Sequence, residues 1–298
     1  MSAFEHVPVL YEETLEALEL RPGAVYADCT MGGAGHSEGI LQRSAPDGRL
    51  IALDRDPAAL AAGRARLAPY ESRVSIVHAS FDALPRVLDE LGVARVHGVL
   101  ADVGVSSPQL DHAERGFSFG QDGPLDMRMD TSSGETAAEL IARLDADELA
   151  DVIYQLGEER RSRPIARSIK NAQAEGRLGT TSDLRAAVVR VMGPRSGKID
   201  SATRTFQALR LAVNGELEQL RALAAALPDV LHDGGVAAII SSHSLEDRIV
   251  KWAFRDDARL APTTKRPVIA GEAELAANPR ARTAKLRVAR RVPREVAA

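Results

Sequence analysis

Three aspartates that could bind a small polar ligand stand at the ends of apolar runs in the sequence. Asp28, Asp54 and Asp102 each close a run that is typical of a buried parallel strand. In an open parallel sheet, ligands bind beyond the carboxyl ends of the strands. A carboxylate at Asp54 can accept hydrogen bonds from both ribose hydroxyls, and the ring of Phe81, after the third predicted strand, can cover an adenine. The spacing therefore predicts a site for a nucleoside-containing cofactor.

A glycine-rich turn joins the first of these strands to a predicted helix at 37–43. Its sequence, Gly32-Gly33-Ala34-Gly35, allows a sharp turn and a close approach of main-chain N–H groups to a ligand. Such a turn can also be a simple connection. A dinucleotide fold would place a third glycine where Glu38 stands, and no Gly-Lys-Ser/Thr phosphate loop follows. S-adenosyl-L-methionine is the nucleoside cofactor that fits this turn best.

Strands and helices alternate four times in the first hundred residues, which predicts an α/β fold with a doubly wound, mostly parallel sheet. Four helical patterns without a strong strand then follow, and they predict an inserted all-helical domain. We expect a cofactor-binding domain at 1–109 and 203–298 and a substrate-recognition domain at 110–202. Apolar residues three or four apart predict one long helix over 203–227. Further strands are expected at 236–240, 267–269 and 284–292.

Composition and charge limit the classes of protein to consider. The chain has 298 residues, 45% of them hydrophobic, and no apolar run reaches the roughly 20 residues of a membrane span. The first residues lack the layout of a signal peptide, so we expect a cytoplasmic protein with no membrane contact. Segment 111–151 has 11 acidic and 3 basic residues, whereas 155–210 has 5 acidic and 12 basic. The basic segment predicts a face that attracts phosphate groups, although a solvated helical surface has the same composition.

Longer runs of sequence resemble a known family. They look like the signature runs of the bacterial ribosomal RNA small-subunit methyltransferase H family, and they are 28–37, 53–56, 102–111, 114–119, 122–129, 202–208 and 243–248. The resemblance extends from about His6 to Arg290. It implies a class I methyltransferase fold and S-adenosylmethionine-dependent methylation of N4 of one cytidine in the decoding region of 16S ribosomal RNA.

The resemblance also implies a set of cofactor-binding residues. They are Ala34, Gly35, His36, Asp54, Phe81, Asp102 and Gln109. Ala34 departs from the usual class I turn, which has a third glycine there. Because an alanine methyl is tolerated most easily at negative φ, we expect Ala34 to keep φ below zero.

The catalytic residues predicted are Asp102, Ser107 and His243. The loop from Asp102 to Pro108 resembles the Ser/Asn/Asp-Pro-Pro-aromatic loop of other amino-methyltransferases, without the second proline and the aromatic residue. The Asp102 carboxylate or a main-chain carbonyl of this loop can accept a hydrogen bond from the amine that is methylated. His243 can relay a proton, although a structural histidine explains the sequence equally well. No metal site is predicted.

The candidate RNA-binding residues are two aromatic and four basic side chains, Phe117, Phe119, Arg160, Arg161, Arg163 and Arg204. Phe117, Phe119 and Trp252 could stack on the target base, but aromatic side chains more often fill protein interiors, which favours a core position for each. The arginines would contact RNA phosphates.

The expected partner is small-subunit ribosomal RNA or the assembled small subunit. The sequence leaves open whether the chain forms a homodimer. Two alternatives also stay open, a methyltransferase for another RNA or DNA amine and a noncatalytic RNA-binding or assembly protein. Calorimetry with S-adenosylmethionine separates the last of these, because a pure RNA-binding module would show no saturable heat.

Overall fold

A computed structural model describes residues 8–196 and 199–293 of the chain, so His6 lies outside the described residues. The helices and strands before the predicted insertion are α1 (Tyr11–Ala17), β1 (Val25–Asp28), α2 (Gly35–Arg43), β2 (Arg49–Asp54), α3 (Pro57–Leu67), β3 (Val74–His78), α4 (Leu84–Glu90) and β4 (Val96–Asp102). Those that follow up to the end of the basic segment are α5 (Ser107–Asp111), α6 (Ala137–Arg143), α7 (Ala146–Gly157), α8 (Ser162–Ala174), α9 (Thr181–Met192), β5 (Arg195–Ser196), β6 (Ile199–Asp200) and α10 (Thr203–Asn214). The last are α11 (Glu216–Val230), β7 (Leu231–Ser241), α12 (Ser244–Asp256), β8 (Leu260–Pro262), α13 (Glu272–Ala277) and β9 (Lys285–Arg291).

The described residues form a seven-stranded sheet in the order β3-β2-β1-β4-β7-β9-β8. The pairs from β3 to β7 are parallel, whereas β9 runs antiparallel to both of its neighbours. The predicted doubly wound, mostly parallel sheet is confirmed. Because β1 lies between β2 and β4, and β4 lies beside β7, the carboxyl ends of these four strands meet at one edge.

Alternate residues of each strand pack on opposite faces of this sheet. Val25 and Ala27 of β1 belong to a buried cluster that includes Leu220 of α11 and Phe254 of α12. The other face of β1 contributes Tyr26, which packs in a second cluster together with residues of α1, α2 and α3. The sheet is therefore covered on both faces, as long parallel strands require. No helix in the described part of the chain is long and apolar enough to cross a membrane.

The chain divides into two compact units. One comprises Met1–Gly104 and Leu217–Ala298 and contains the seven-stranded sheet, and the other comprises Val105–Glu216. The predicted insertion was 110–202, so the helical unit begins earlier and ends later than the sequence pattern indicated. The assignment of this unit to substrate recognition stays a prediction.

The helical unit has a core of its own. Ile153, Ile165, Leu184 and Phe206, from four different helices, are buried in one cluster. Four of its described helices begin with a capping box in which a side-chain oxygen accepts a bond from the third helical N–H, at Ser106, Thr136, Asp145 and Thr180. In three of these boxes the residue at the third helical position is acidic, and its carboxylate accepts the N–H of the capping residue. These residues are Glu139, Glu148 and Asp183. Three carboxylates of the acidic segment, Glu139, Asp145 and Glu148, thus have a structural explanation.

Two sequence-based expectations were wrong. The single helix over 203–227 is two helices, α10 and α11, because Gly215 between them adopts a left-handed conformation with φ 60°. Glycine adopts this conformation without steric cost, and it ends the first helix. The strand at 267–269 is reduced to one bridge, Val268 to Leu286, whereas a strand pairs with β9 at 260–262 instead.

Candidate active site

The turn after β1 is held by the carboxylate of Asp28. Its Oδ1 accepts a hydrogen bond from the Thr30 N–H at 3.1 Å, and its Oδ2 accepts one from the Ser37 hydroxyl at 2.7 Å. Asp28 is 1% exposed, and burial raises its pKa to about 6. Asp28 therefore connects the strand to the first turn of α2, and it closes the turn from within the protein.

Asp54, at the end of β2, supports the same turn from the neighbouring strand. Its Oδ2 accepts the Gly32 N–H at 2.7 Å, and its Oδ1 accepts the Asp56 N–H at 2.8 Å. Burial raises the pKa of Asp54, although the side chain keeps partial contact with solvent. Each carboxylate oxygen can accept a further bond, so both ribose hydroxyls of a nucleoside could bind here. A Cβ atom added to Gly33 would meet no atom within 4 Å, so the turn faces open space. These residues fit a nucleoside cofactor.

The predicted trio Ala34, Gly35 and His36 forms the buried part of the turn. Ala34 has φ 60°, so the expectation of a negative φ is wrong. The Ala34 N–H donates to the Met31 carbonyl at 2.7 Å and closes the turn, which offsets a steric cost of about 1–2 kcal/mol for a left-handed alanine. A Cβ on Gly35 would lie 2.3 Å from Pro8, so only glycine fits there.

His36 packs beneath the turn. Its ring stacks on Tyr11 with a centroid distance of 5.9 Å, and burial lowers its pKa to about 4. Its Nε2 is buried and has no hydrogen-bond partner within residues 8–196 and 199–293. The role of Ala34, Gly35 and His36 in binding the cofactor stays a prediction.

Asp102 lies at the end of β4, two strands from Asp54. Its N–H donates to the Thr30 hydroxyl oxygen at 2.6 Å, which ties β4 to the turn after β1. Burial raises the pKa of the Asp102 carboxyl to about 7, and the nearby carboxylates of Asp28 and Glu246 act in the same direction. Asp102 therefore changes protonation state near neutral pH.

Phe81 has a less exposed position than the sequence suggested. Its side chain is 8% exposed and packs in the core cluster that includes Leu84 and Val103. The stacking of Phe81 on an adenine stays a prediction.

His243 and Glu246 lie at the start of α12, directly after β7. His243 Nε2 is 2.9 Å from Glu246 Oε1, and Glu246 Oε2 accepts the N–H of Ser242 at 2.8 Å. Because Asp102 pairs in register with Ile240 of β7, these residues stand at the same edge of the sheet as Asp102. Glu246 is 1% exposed and was not predicted as a site residue. The spacing of His243 and Glu246, typical of a capping box, was the available signal.

Four further predicted residues follow Asp102 in the sequence and belong to the helical unit. They are Ser107, Gln109, Phe117 and Phe119. Ser107 is the first residue of α5, and Ser106 and Gln109 form its capping box, in which Gln109 Oε1 accepts the Ser106 N–H at 3.0 Å. Phe117 is buried below the Arg115 guanidinium, whose carbon lies 5.8 Å from the ring centroid. Phe119 packs edge-on against Phe206 at 4.8 Å. The two phenylalanines thus have packing roles inside this unit.

The structure brings the predicted arginines together on the helical unit. Arg160, Arg161 and Arg163 are exposed at the start of α8. Arg204, on α10, donates to the Glu158 carbonyl at 3.4 Å, so it lies beside the same α7–α8 connection. Trp252 is in the sheet unit, is 46% exposed and packs between Lys251 and Arg255, so it is not a core residue.

Comparison with known proteins extends these observations. Residues 3–292 match the model of the MraW methylase family. The ribosomal RNA small subunit methyltransferase H of Sorangium cellulosum is 58% identical over 289 residues, which cover 97% of this chain and 91% of that protein. The protein of the same name from Synechococcus elongatus is 50% identical over 294 residues, with 98% and 96% covered. That of Citrifermentans bemidjiense is 46% identical over 313 residues, with 98% and 100% covered.

The family match spans nearly the whole chain, and these relatives are similar to it over nearly their whole lengths. Both findings agree with the nucleoside-binding edge described above. The chain therefore belongs to the MraW methylase family, and it is a methyltransferase for which the predicted cofactor, S-adenosylmethionine, is confirmed.

Proposed function

We propose that this enzyme methylates N4 of a specific cytidine in the decoding region of 16S ribosomal RNA. The observation that carries the proposal is Asp102, a carboxyl with a pKa of about 7 at the edge of the sheet that holds the cofactor turn. The relatives' names refer to small-subunit ribosomal RNA, and the runs at 102–111 and 243–248 resemble those of the cytidine-N4 enzymes. A cytoplasmic location is part of the same proposal.

The chemistry required is modest, because S-adenosylmethionine supplies an already activated methyl group. The N4 lone pair of cytosine is delocalised into the ring, and a carboxylate that accepts a hydrogen bond from N4–H draws the nitrogen toward sp³ geometry. Asp102 is the residue that we assign to this role, and it takes the proton that N4 loses. The remaining rate enhancement comes from in-line positioning of the amine.

Other residues complete the proposed site. His243, at the same edge as Asp102, relays the proton onward, and Glu246, whose Oε1 lies 2.9 Å from His243 Nε2, pairs with the imidazolium when the ring is protonated. Ser107 lies on the loop that continues from Asp102. The target base must leave its stack to reach the enzyme. Of the three predicted stacking partners, Trp252 is 46% exposed, whereas Phe117 is 6% exposed and Phe119 packs on Phe206. Arg160, Arg161, Arg163 and Arg204 contact the RNA backbone.

Nucleoside mass spectrometry tests the proposal. The enzyme is incubated with labelled S-adenosylmethionine and either naked small-subunit RNA or assembled small subunits, and the RNA is then digested. Labelled N4-methylcytidine is expected from at least one substrate. Its absence from both, with label on another nucleoside, would exclude the assignment. The Asp102→Asn variant is expected to methylate at least 100-fold more slowly in a single turnover, as for the loss of a positioned general base.

A further inference from the structure

A cavity of about 360 Å³ lies beside the start of α12, and of its lining residues only His243 has a role in the proposed function. Ser242, His243 and Ser244 line one side of it, and Arg282, Thr283 and Lys285 line the other. These two segments lie about forty residues apart in sequence and meet because β9 pairs with β7, with Ser241 opposite Lys285. The cavity therefore combines two cationic side chains with three hydroxyl groups.

The charge of this cavity is uncompensated by its own lining. None of the described residues that line it is acidic. Two carboxylates that neighbour lining residues accept bonds from the main chain: Glu246 accepts the Ser242 N–H, and Glu274 accepts the Leu10 N–H at 2.7 Å. A group that enters the cavity therefore meets a positive field.

Asp247 pairs with Lys285 and with a second cation. Its Oδ1 accepts the Arg287 Nε–H at 2.7 Å, and its Oδ2 accepts a longer bond from Lys285 Nζ at 3.5 Å. Burial alone would raise the pKa of Asp247, but the hydrogen bonds and charges of Arg287 and Lys285 outweigh it and lower the pKa. Because one carboxylate faces two cations, this cluster keeps a net positive charge beside the cavity.

Apolar side chains also line the cavity. They include Ile269, which is 64% exposed, and Leu275 of α13. Two cations and three hydroxyl groups beside apolar side chains match a nucleotide, whose phosphate binds the cations and whose sugar or base packs on the apolar residues. The volume is at the lower end of the range for small-ligand sites.

We infer that this cavity binds a phosphodiester group of the RNA substrate, next to the nucleotide that is methylated. His243 lines the cavity and stands at the same sheet edge as Asp102, so a phosphate held here lies within one or two nucleotides of a base at Asp102. Arg282 and Lys285 are the residues that bind it. The inference rests on the proposed RNA substrate, and it adds a backbone-binding site on the sheet unit to the arginines of the helical unit.

The test compares RNA binding by the wild-type chain and by Arg282→Gln/Lys285→Gln. A fluorescent single-stranded RNA containing cytidine is titrated at several salt concentrations. The variant is expected to bind roughly tenfold more weakly, and the slope of log K against log salt should fall by about 0.7 for one lost phosphate contact. Affinity for S-adenosylmethionine, measured by calorimetry, should be unchanged. An unchanged RNA affinity and slope would overturn the inference.

Two further variants separate a specific site from general effects. Lys265→Gln/Arg266→Gln removes two exposed cations from the same unit outside the cavity, and it should keep the wild-type slope. Arg282→Lys/Lys285→Arg keeps both charges and should also bind like wild type. If Lys265→Gln/Arg266→Gln loses as much RNA affinity as Arg282→Gln/Lys285→Gln, the weaker binding is an effect of net charge. That result would contradict the proposal.

Free phosphate is the other source of the same chemistry. Calorimetric titration of inorganic phosphate into the wild-type chain should show no saturable heat below about 1 mM. If the wild-type chain binds phosphate saturably below about 1 mM and Arg282→Gln/Lys285→Gln does not, the cavity is a site for free phosphate. That result would overturn the RNA assignment. The binding measurements do not depend on methyl transfer. A wild-type enzyme that makes no N4-methylcytidine would thus refute the proposed function and leave the slope test intact.

Discussion

At the scale of single residues, the candidate active-site edge contains several buried carboxyl groups. Their burial raises their pKa values above those of exposed carboxyl groups. Burial raises the pKa of Asp28 to about 6 and that of Asp102 to about 7, and the charges of Asp54 on Asp28 and of Asp28 and Glu246 on Asp102 act in the same direction. The folded chain therefore binds these protons more tightly than the unfolded chain does. Their contribution to stability is present at low pH and is lost as the pH rises from about 4 toward 7.

The protonation of Asp102 predicts the pH dependence of methyl transfer. The proposed role requires the carboxylate, so the single-turnover rate should fall about tenfold per pH unit below pH 7 and level off above it. Asp102→Asn should show a slow rate without this inflection. At pH 8 the Asp102→Asn variant should have a higher urea midpoint of unfolding than wild type, because the substitution removes a buried negative charge. At pH 5 the difference should be smaller, because Asp102 of the wild-type chain is then protonated. An inflection near pH 7 that survives in Asp102→Asn would assign the titration to another group.

At the scale of secondary-structure elements, the break between α10 and α11 decides where the helical unit returns to the sheet unit. Hydrophobic spacing continues across the break, which is why the sequence predicted one helix. Gly215 at φ 60° ends α10, and its N–H donates to the Leu211 carbonyl. The Asn214 side chain adds a bond from its Nδ2 to the Met127 carbonyl at 2.7 Å, so the helix end is also held by a distant loop.

Replacing Gly215 with alanine tests this account of the break. The left-handed conformation costs an alanine about 1–2 kcal/mol, so Gly215→Ala should lower the free energy of unfolding by about that amount. The measurement is a urea titration followed by circular dichroism. Gly179→Ala is the matched control, because Gly179 is exposed in the same unit and has no positive φ. Equal stability of Gly215→Ala and wild type would show that the break does not depend on glycine.

At the scale of the whole molecule, opposite charges are separated along the chain. Acidic side chains of the helical unit are engaged in helix caps and in ion pairs such as Asp126 with Arg128 at 2.8 Å. Exposed arginines concentrate at the α7–α8 connection. This arrangement leaves the basic groups available to a polyanion, which favours the RNA-binding role over a neutral, solvated surface.

Loss of two of these arginines should weaken RNA binding without affecting the cofactor. Arg160→Ala/Arg161→Ala is expected to reduce the salt slope by about 1.4 for single-stranded RNA if each binds one phosphate. Fluorescence anisotropy across a salt series measures this slope. Arg64→Ala/Arg86→Ala removes two exposed charges from the sheet unit and should leave the slope unchanged. If the two double variants behave alike, Arg160 and Arg161 belong to the solvated surface.

Local sequence was enough to predict the sheet and the three aspartates that end β1, β2 and β4. Apolar runs that close in Asp28, Asp54 and Asp102 predict parallel strands, and parallel strands necessarily bring their carboxyl ends to one edge. The first residue of a helix can likewise be predicted where a capping residue precedes it, as at Thr136 and Asp145. These features depend on local sequence and on the geometry common to all such sheets.

Only the tertiary structure decided the chemistry of that edge. The pKa of Asp102 follows from burial and from Asp28 and Glu246, which are distant in sequence. The left-handed Ala34 is set by a turn that Asp54 and Asp28 hold from two strands. The cavity with Arg282 and Lys285 exists because β9 returns antiparallel beside β7. Burial and contacts between distant segments arise from the packing of the whole chain. Local patterns of residue type therefore cannot predict them.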